Sequence, residues 1–272
     1  MSLAAIRKSL MSVSPSAPSE LVIVTRLRAA GCVFAEDEAQ LIVSTAQTSD
    51  ELATMVDRRI AGVPLEHVLG WVEFRALRVE VDPGVFVPRR RTAFLVDQAA
   101  ALISPEAVVV DLCCGSGAVG AALASISDRI DLYAVDIDPA AVRCARRNIS
   151  APGRVIEGDL YAPLPGKLRG SVDVLVVNAP YVPTGAIRLM PPEARLHEPR
   201  VSLDGGVDGL DIQRRVASAA RTWLAPGGHL LVEASELQAH ETAAVFARVG
   251  LIARIERSDE LGATVVVATS PA

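Results

Sequence analysis

The chain has 272 residues, half of them hydrophobic but only 4% aromatic, and a formal net charge of −5. That length suits one large α/β domain with a smaller appendage, whose core must be mostly Val, Leu, Ile and Ala. The acidic balance argues against bulk binding to nucleic-acid phosphates, which needs clustered Lys and Arg. Cys32, Cys113, Cys114 and Cys144 form no C-x-x-C pair, so they read as reduced, packed thiols and not as a disulfide framework or metal site. No apolar run approaches the roughly 18 residues that cross a bilayer. Arg7 and Lys8 are followed by a Ser/Pro-rich stretch where a signal segment would be apolar. These features predict a cytoplasmic chain without a metal or a membrane partner.

Residues 1–20 have the composition of a flexible leader. From 21 to 61 the apolar spacing is helical, with one short helix over 36–45. A second helix places Leu52, Met55, Val56 and Ile60 on one face. Thr48 and Glu51 form a capping box for that helix, and Gly62 with Pro64 closes it. A small helical domain over 1–64 is predicted. The period then changes: Leu77, Val79 and Val81 alternate with Arg78 and Glu80, and Asp82-Pro83-Gly84 turns the chain before Val85-Phe86-Val87. A β-hairpin linker over 65–90 is expected.

Over 91–272, strand and helix signals alternate. Strands are predicted at 108–110, 132–135, 155–156, 172–177 and 229–233, with helices over 117–126 and 139–148. A closing hairpin pairs 251–257 with 264–268. This alternation implies a Rossmann-like α/β domain, its mostly parallel sheet covered by helices on both faces.

The run Asp111-Leu112-Cys113-Cys114-Gly115-Ser116-Gly117-Ala118-Val119-Gly120 passes from a strand into a helix and spells G-x-G-x-x-G. Taken alone, that pattern also fits a nicotinamide-dependent oxidoreductase. Asp111 argues otherwise, because a carboxylate beside the loop repels a pyrophosphate but attracts the ammonium and sulfonium of S-adenosylmethionine. Asp136 ends the second strand, where a carboxylate can accept both ribose hydroxyls. Asp159-Leu160 ends the third, with a polar head and an apolar neighbour suited to adenine. Singly, each acid is equally a helix cap or turn residue.

After the apolar run 172–177 comes Asn178-Ala179-Pro180-Tyr181. As a bare turn it needs no function. Chemically, an amide nitrogen is a poor nucleophile because its lone pair is delocalised. Two acceptors that hold its N–H bonds aim the lone pair, and the Asn178 oxygen and Ala179 carbonyl supply two. Pro180 stiffens the turn, and Tyr181 offers a flat face. The Gly- and Asp-rich stretch 198–211 reads as an ordered loop over the site or as a surface turn. Arg89-Arg90-Arg91 reads as a solvated charge run or as part of a substrate surface.

Together, in this order, the motifs resemble the HemK/PrmC family of protein-(glutamine-N5) methyltransferases, which modify the glutamine of the GGQ motif of peptide-chain release factors. The resemblance runs from about residue 58 to 269. It implies a seven-stranded methyltransferase sheet, a helical N-terminal domain for substrate recognition, and S-adenosyl-L-methionine as cofactor. It also implies cofactor contacts at Gly115, Gly117, Asp136, Leu160 and Asn178, and substrate contacts over Asn178 to Tyr181. Asp111, Cys113, Ser116, Ile137 and Asp159 complete the expected cofactor site, and Phe86 and Arg89 the expected substrate site. The turn Asn178 to Tyr181 is the implied catalytic element. Two departures mark a divergent member. Ala179 stands where the family usually has the first proline of Asn-Pro-Pro-Tyr, and Arg91 and Ala93 replace two acids of Pro-Arg-x-Asp-Thr-Glu. The alternatives are amino methylation of nucleic acid, which must extrude its base, and cofactor binding without turnover.

Overall fold

The computed structural model describes residues 19–127 and 129–272. The chain divides into two compact units, Met1–Leu69 and Gly70–Ala272. Of the leader read over 1–20, residues 1–18 lie outside the described residues, and Glu20 already opens a helix.

In the first unit, helices α1 (Glu20–Ala29), α2 (Ala35–Thr45), α3 (Ser49–Ile60) and α4 (Leu65–Leu69) bury one apolar stripe each. Ile23, Leu27, Ala39, Ile42, Met55 and Val56 form the shared core. Thr48 Oγ accepts the Glu51 N–H at 3.1 Å, as the capping box requires, and the Glu51 carboxylate accepts the N–H of Gln47 at 2.7 Å. An ion pair is buried among the described residues of this unit: Arg59 Nε donates to Glu38 Oε2 at 2.6 Å and Nη2 to Oε1 at 3.1 Å.

The hairpin read at 65–90 is corrected. Residues 65–69 are α4, and the strands that pair are β1 (Trp71–Phe74) and β2 (Leu77–Glu80). The connection is Arg75-Ala76, both at positive φ (49° and 60°), a two-residue turn without the Gly or Asn that normally announces one. Asp82-Pro83-Gly84 does turn the chain, but Val81, Val85 and Val87 bury against Ala141 and Cys144 instead of pairing as strands.

The second unit holds a seven-stranded sheet of β3 (Val108–Leu112), β4 (Asp131–Asp136), β5 (Arg154–Glu157), β6 (Val172–Val177), β7 (Leu224–Ala234), β8 (Ile252–Ser258) and β9 (Ala263–Thr269). The order is β5-β4-β3-β6-β7-β9-β8, parallel from β5 through β7 and antiparallel at β9 and β8. Val109, Val110, Leu132, Val174 and Val176 are fully or almost fully buried, so the central strands read as continuous apolar runs. Helices α5 (Ala93–Ala100), α6 (Ala118–Ile126), α7 (Pro139–Asn148), α8 (Pro192–His197), α9 (Asp211–Trp223) and α10 (Ala239–Arg248) complete the unit. Apolar cores lie on both faces of the sheet. Among the described residues, no helix is long and apolar enough to cross a membrane.

Removing one member of the Glu38–Arg59 pair leaves a buried charge behind. Glu38→Ala is therefore expected to destabilise the helical unit by about 3 kcal/mol, read as an earlier transition on thermal unfolding of the whole protein. Glu38→Gln, which still accepts from Arg59, should lose less.

Candidate active site

β3 and β6 are parallel neighbours with Leu112 opposite Val177, so the loops that leave their C-terminal ends open side by side. Strand order reverses here, β4 and β5 lying on one side and β6 and β7 on the other. Open α/β sheets bind ligands in the crevice at such a point. A cavity of about 270 Å³ occupies it.

Asp111, Cys113, Gly115, Ser116, Asp136, Ile137, Asp159 and Leu160 all line this cavity, as do Asn178, Ala179, Pro180, Tyr181, Phe86 and Arg89. Gly117 does not line it. It caps α6 at φ +80°, and an added Cβ would lie 3.0 Å from Ala145 Cβ and from Ile149 Cδ1, so its smallness serves helix packing. Gly115 differs: its φ is +56° and a Cβ there would meet nothing within 4 Å. Its backbone is accessible to a ligand.

Two carboxylates set the electrostatics. Asp111 is only 2% exposed; its Oδ2 accepts the Gly120 N–H at 3.0 Å, and burial pushes its carboxyl up to about 7. Asp136 accepts the N–H groups of Gly115 (2.8 Å) and Asp138 (2.9 Å), and burial raises it too. Asp159 is paired through Oδ2 with Arg215 at 2.6 Å. Burial raises the Cys113 and Cys114 thiols, so neither is a thiolate nucleophile. A pyrophosphate between Asp111 and Asp136 would be repelled. A ligand with a cationic head and ribose hydroxyls fits them, and Ile137 and Leu160 supply apolar surface for a base.

The Asn178–Tyr181 turn is held from several directions. The Asn178 Nδ2 donates to Thr92 Oγ1 at 3.4 Å, and among the described residues no donor to Oδ1 is found. Gly205 and Gly209 press the 198–211 loop onto the turn. A Cβ on Gly205 would lie 2.8 Å from the Pro180 oxygen, and one on Gly209 2.3 Å from that of Tyr181. Val201, Ser202 and Leu203 of the loop line the cavity, so it is part of the site and not a detached surface turn.

Nor is Arg89-Arg90-Arg91 simply a solvated run. Arg89 Nη2 donates to both oxygens of Glu198 (2.6 and 2.7 Å) and its guanidinium lies 4.9 Å from the Phe86 ring. Arg91 pairs with Glu233 at 3.0 Å and donates to the Tyr181 hydroxyl. Thr92, Glu233 and Gln238 are the residues around the turn that the sequence does not single out; Arg91 and Glu198 enter it as parts of a basic run and of a loop. The one local signal for Glu233 was a charged residue closing an apolar strand.

A parallel sheet with this strand order, an acid-lined nucleoside crevice and an Asn-x-Pro-Tyr turn beside it define an S-adenosylmethionine-dependent methyltransferase. The methyltransferase small domain family matches residues 76–194. A release factor glutamine methyltransferase of Geobacter sulfurreducens is 39% identical over 207 residues, covering 74% of this chain and 72% of its own. A 4-amino-L-phenylalanine/4-methylamino-L-phenylalanine methyltransferase of Streptomyces pristinaespiralis is 35% identical over 203 residues, covering 72% of this chain and 69% of its own. In fold, a Pyrococcus furiosus methyltransferase structure overlays with a TM-score of 0.55 at 15% identity, covering 83% of this chain and 100% of that one. The chain belongs to the release factor glutamine methyltransferase family, and S-adenosylmethionine is its methyl donor.

The raised Asp111 carboxyl has a sign consequence. Between about pH 4 and 7 the folded protein keeps a proton that the unfolded chain has lost, so ligand-free stability should fall as pH rises through that window. The drop is on the order of 4 kcal/mol, with Asp136 acting in the same direction. Denaturant titrations at a series of pH values should show it, and Asp111→Asn should flatten it.

Proposed function

We propose that this protein methylates the side-chain amide nitrogen (N5) of the glutamine in the GGQ motif of a peptide-chain release factor, in the cytoplasm and without direct contact with nucleic acid. The observation that carries this reading is the Asn178–Tyr181 turn. Among the described residues no donor to the Asn178 oxygen is found, and the turn lines the same cavity as Asp111 and Asp136. S-adenosylmethionine supplies an electrophilic methyl group on a sulfonium. Asp111 would hold its amino group, Asp136 its ribose hydroxyls, Gly115 its approach to the backbone, and Ile137, Asp159 and Leu160 its adenine.

Asn178 Oδ1 and the Ala179 carbonyl would take the two N–H groups of the acceptor amide and so orient its lone pair. Neither needs to be a strong base, because rate comes mainly from positioning. Tyr181 would stack on the planar amide. Phe86 and Arg89, the latter stacked on Phe86 and bonded to Glu198, would contact the residues around it.

A second reading, methylation of an aromatic amine on a free amino acid, is favoured by one observation. Arg91 lines the cavity, and among the described residues its Nη1 has no hydrogen-bond partner, which suits a substrate carboxylate.

Both readings are tested with methyl-labelled S-adenosylmethionine. Label should appear on release factors, vanish when the GGQ glutamine is changed to alanine, and fall at least about a hundredfold with Asn178→Ala. If release factors stay unlabelled and 4-amino-L-phenylalanine takes the label, the second reading replaces the first.

A further inference from the structure

Contacts from outside the turn fix Tyr181 and the residue that follows it. Gln238 Nε2 donates to the Tyr181 carbonyl at 3.0 Å and to the Asp208 carbonyl at 2.9 Å, and the Ser235 hydroxyl holds the Gln238 Oε1 at 2.6 Å. Val182 is tied to the 198–211 loop, its N–H donating to the Leu203 carbonyl at 3.0 Å and its carbonyl accepting from Gly205 at 2.9 Å. A further contact reaches the side chain of Tyr181. Arg91 Nη2 donates to the Tyr181 hydroxyl while Nε of the same guanidinium donates to Glu233 Oε1 at 3.0 Å. The guanidinium carbon lies 5.9 Å from the Tyr181 ring centroid, within reach of its face.

Glu233 gives this contact its stiffness. Its side chain is 2% exposed, and Oε2 has no hydrogen-bond partner among the described residues. Loss of Arg91 from this pair would leave a buried carboxylate uncompensated, which opposes release of the guanidinium. A guanidinium is a planar fork with fixed donor directions, so once Nε is pinned to Glu233 the direction of Nη2 is set as well.

The turn needs outside support. Pro180 has its own φ locked and keeps Ala179 in the extended region, but the φ of Ala179 is not ring-locked. The Ala179 carbonyl is one of the two proposed acceptors, and its aim depends on that torsion. We propose that the Arg91–Glu233 pair is a clamp that acts through Tyr181 to fix the aim of the Ala179 carbonyl and the tilt of the Tyr181 ring. It does from outside what a second proline would do from within. Arg91 is thus a positioning residue, and this inference rests on reading 178–181 as the acceptor turn.

The test compares Arg91→Lys, Tyr181→Phe, their combination, and Arg91→Lys with Ala179→Pro, all in the full-length protein. Lysine keeps a charge for Glu233 but has no fork, and phenylalanine keeps the ring but has no hydroxyl. Each single change should lower kcat about tenfold and leave KM for S-adenosylmethionine within about twofold; the pair should be no worse than either alone. Hydrogen exchange over 178–184 should quicken with Arg91→Lys. Adding Ala179→Pro should slow it again and bring kcat back to within about threefold of wild type. Losses that multiply, unchanged exchange in Arg91→Lys, or a proline that rescues neither readout would overturn the clamp. If Ala179→Pro does not fold, the Arg91/Tyr181 cycle and the exchange of Arg91→Lys still decide. Absence of turnover in the wild type counts against the function assignment instead, and the exchange measurement then judges the clamp by itself.

Discussion

The site depends on parallel registration of three strands. Leu112 of β3 sits opposite Val177 of β6, and Val177 opposite Val232 of β7. Parallel strands end on one edge, so the Gly-rich loop, the Asn178 turn and Glu233 emerge together. Because side chains alternate, a slip of one residue would carry Asp111 and Glu233 to the opposite face of the sheet. The registration is enforced by burial: the strands are apolar on both faces, and each slip would misplace a whole column of Val and Leu. The polar residues at the strand ends are tolerated for what they hold, Gly120 by Asp111 and Arg91 by Glu233.

Charge is arranged differently in the two halves of the crevice. On the β3–β4 side, Asp111 and Asp136 accept backbone N–H groups and burial raises both, a state that favours a cationic ligand. On the β6–β7 side, Arg89 and Arg91 are matched to buried Glu198 and Glu233. One half is poised to exchange a proton for a positive ligand; the other spends its charge on holding side chains still. Methyl transfer to a weak nucleophile asks for both, a bound cation and a rigidly aimed acceptor.

Much of this could be read from residues close together in the chain. The strand over 172–177 and the helix over 139–148 follow from an apolar run and from Asp138-Pro139 at a helix start, and both appear with those bounds. The loop after β3 and the acids at 111, 136 and 159 were legible because strand C-termini in α/β sheets are where ligands sit. The β1–β2 turn was not legible, since Arg75-Ala76 adopts positive φ without the usual residues and is imposed by the pairing of Trp71–Phe74 with Leu77–Glu80. Gly117 has a packing role that the motif did not announce, because a glycine required by a ligand and one required by a neighbouring helix look the same in sequence; the Ala145 contact reveals the second requirement.

The sequence by itself determined the α/β class and located the acids and the Asn178–Tyr181 turn that line one crevice, because each is written in local periodicity or in a contiguous motif. Only the tertiary structure decided what holds that turn in place. Arg91 and Thr92 share one short turn, Glu233 lies at the end of β7 and Gln238 precedes α10; Arg91 and Glu233 alone are 142 positions apart, and no local pattern links them. Their contacts arise from strand order and register, which are properties of the packed sheet. The same physics turned an exposed-looking Arg89-Arg90-Arg91 run into two ion pairs: a buried glutamate must find a cation, and the fold brings Glu198 and Glu233 to the nearest ones.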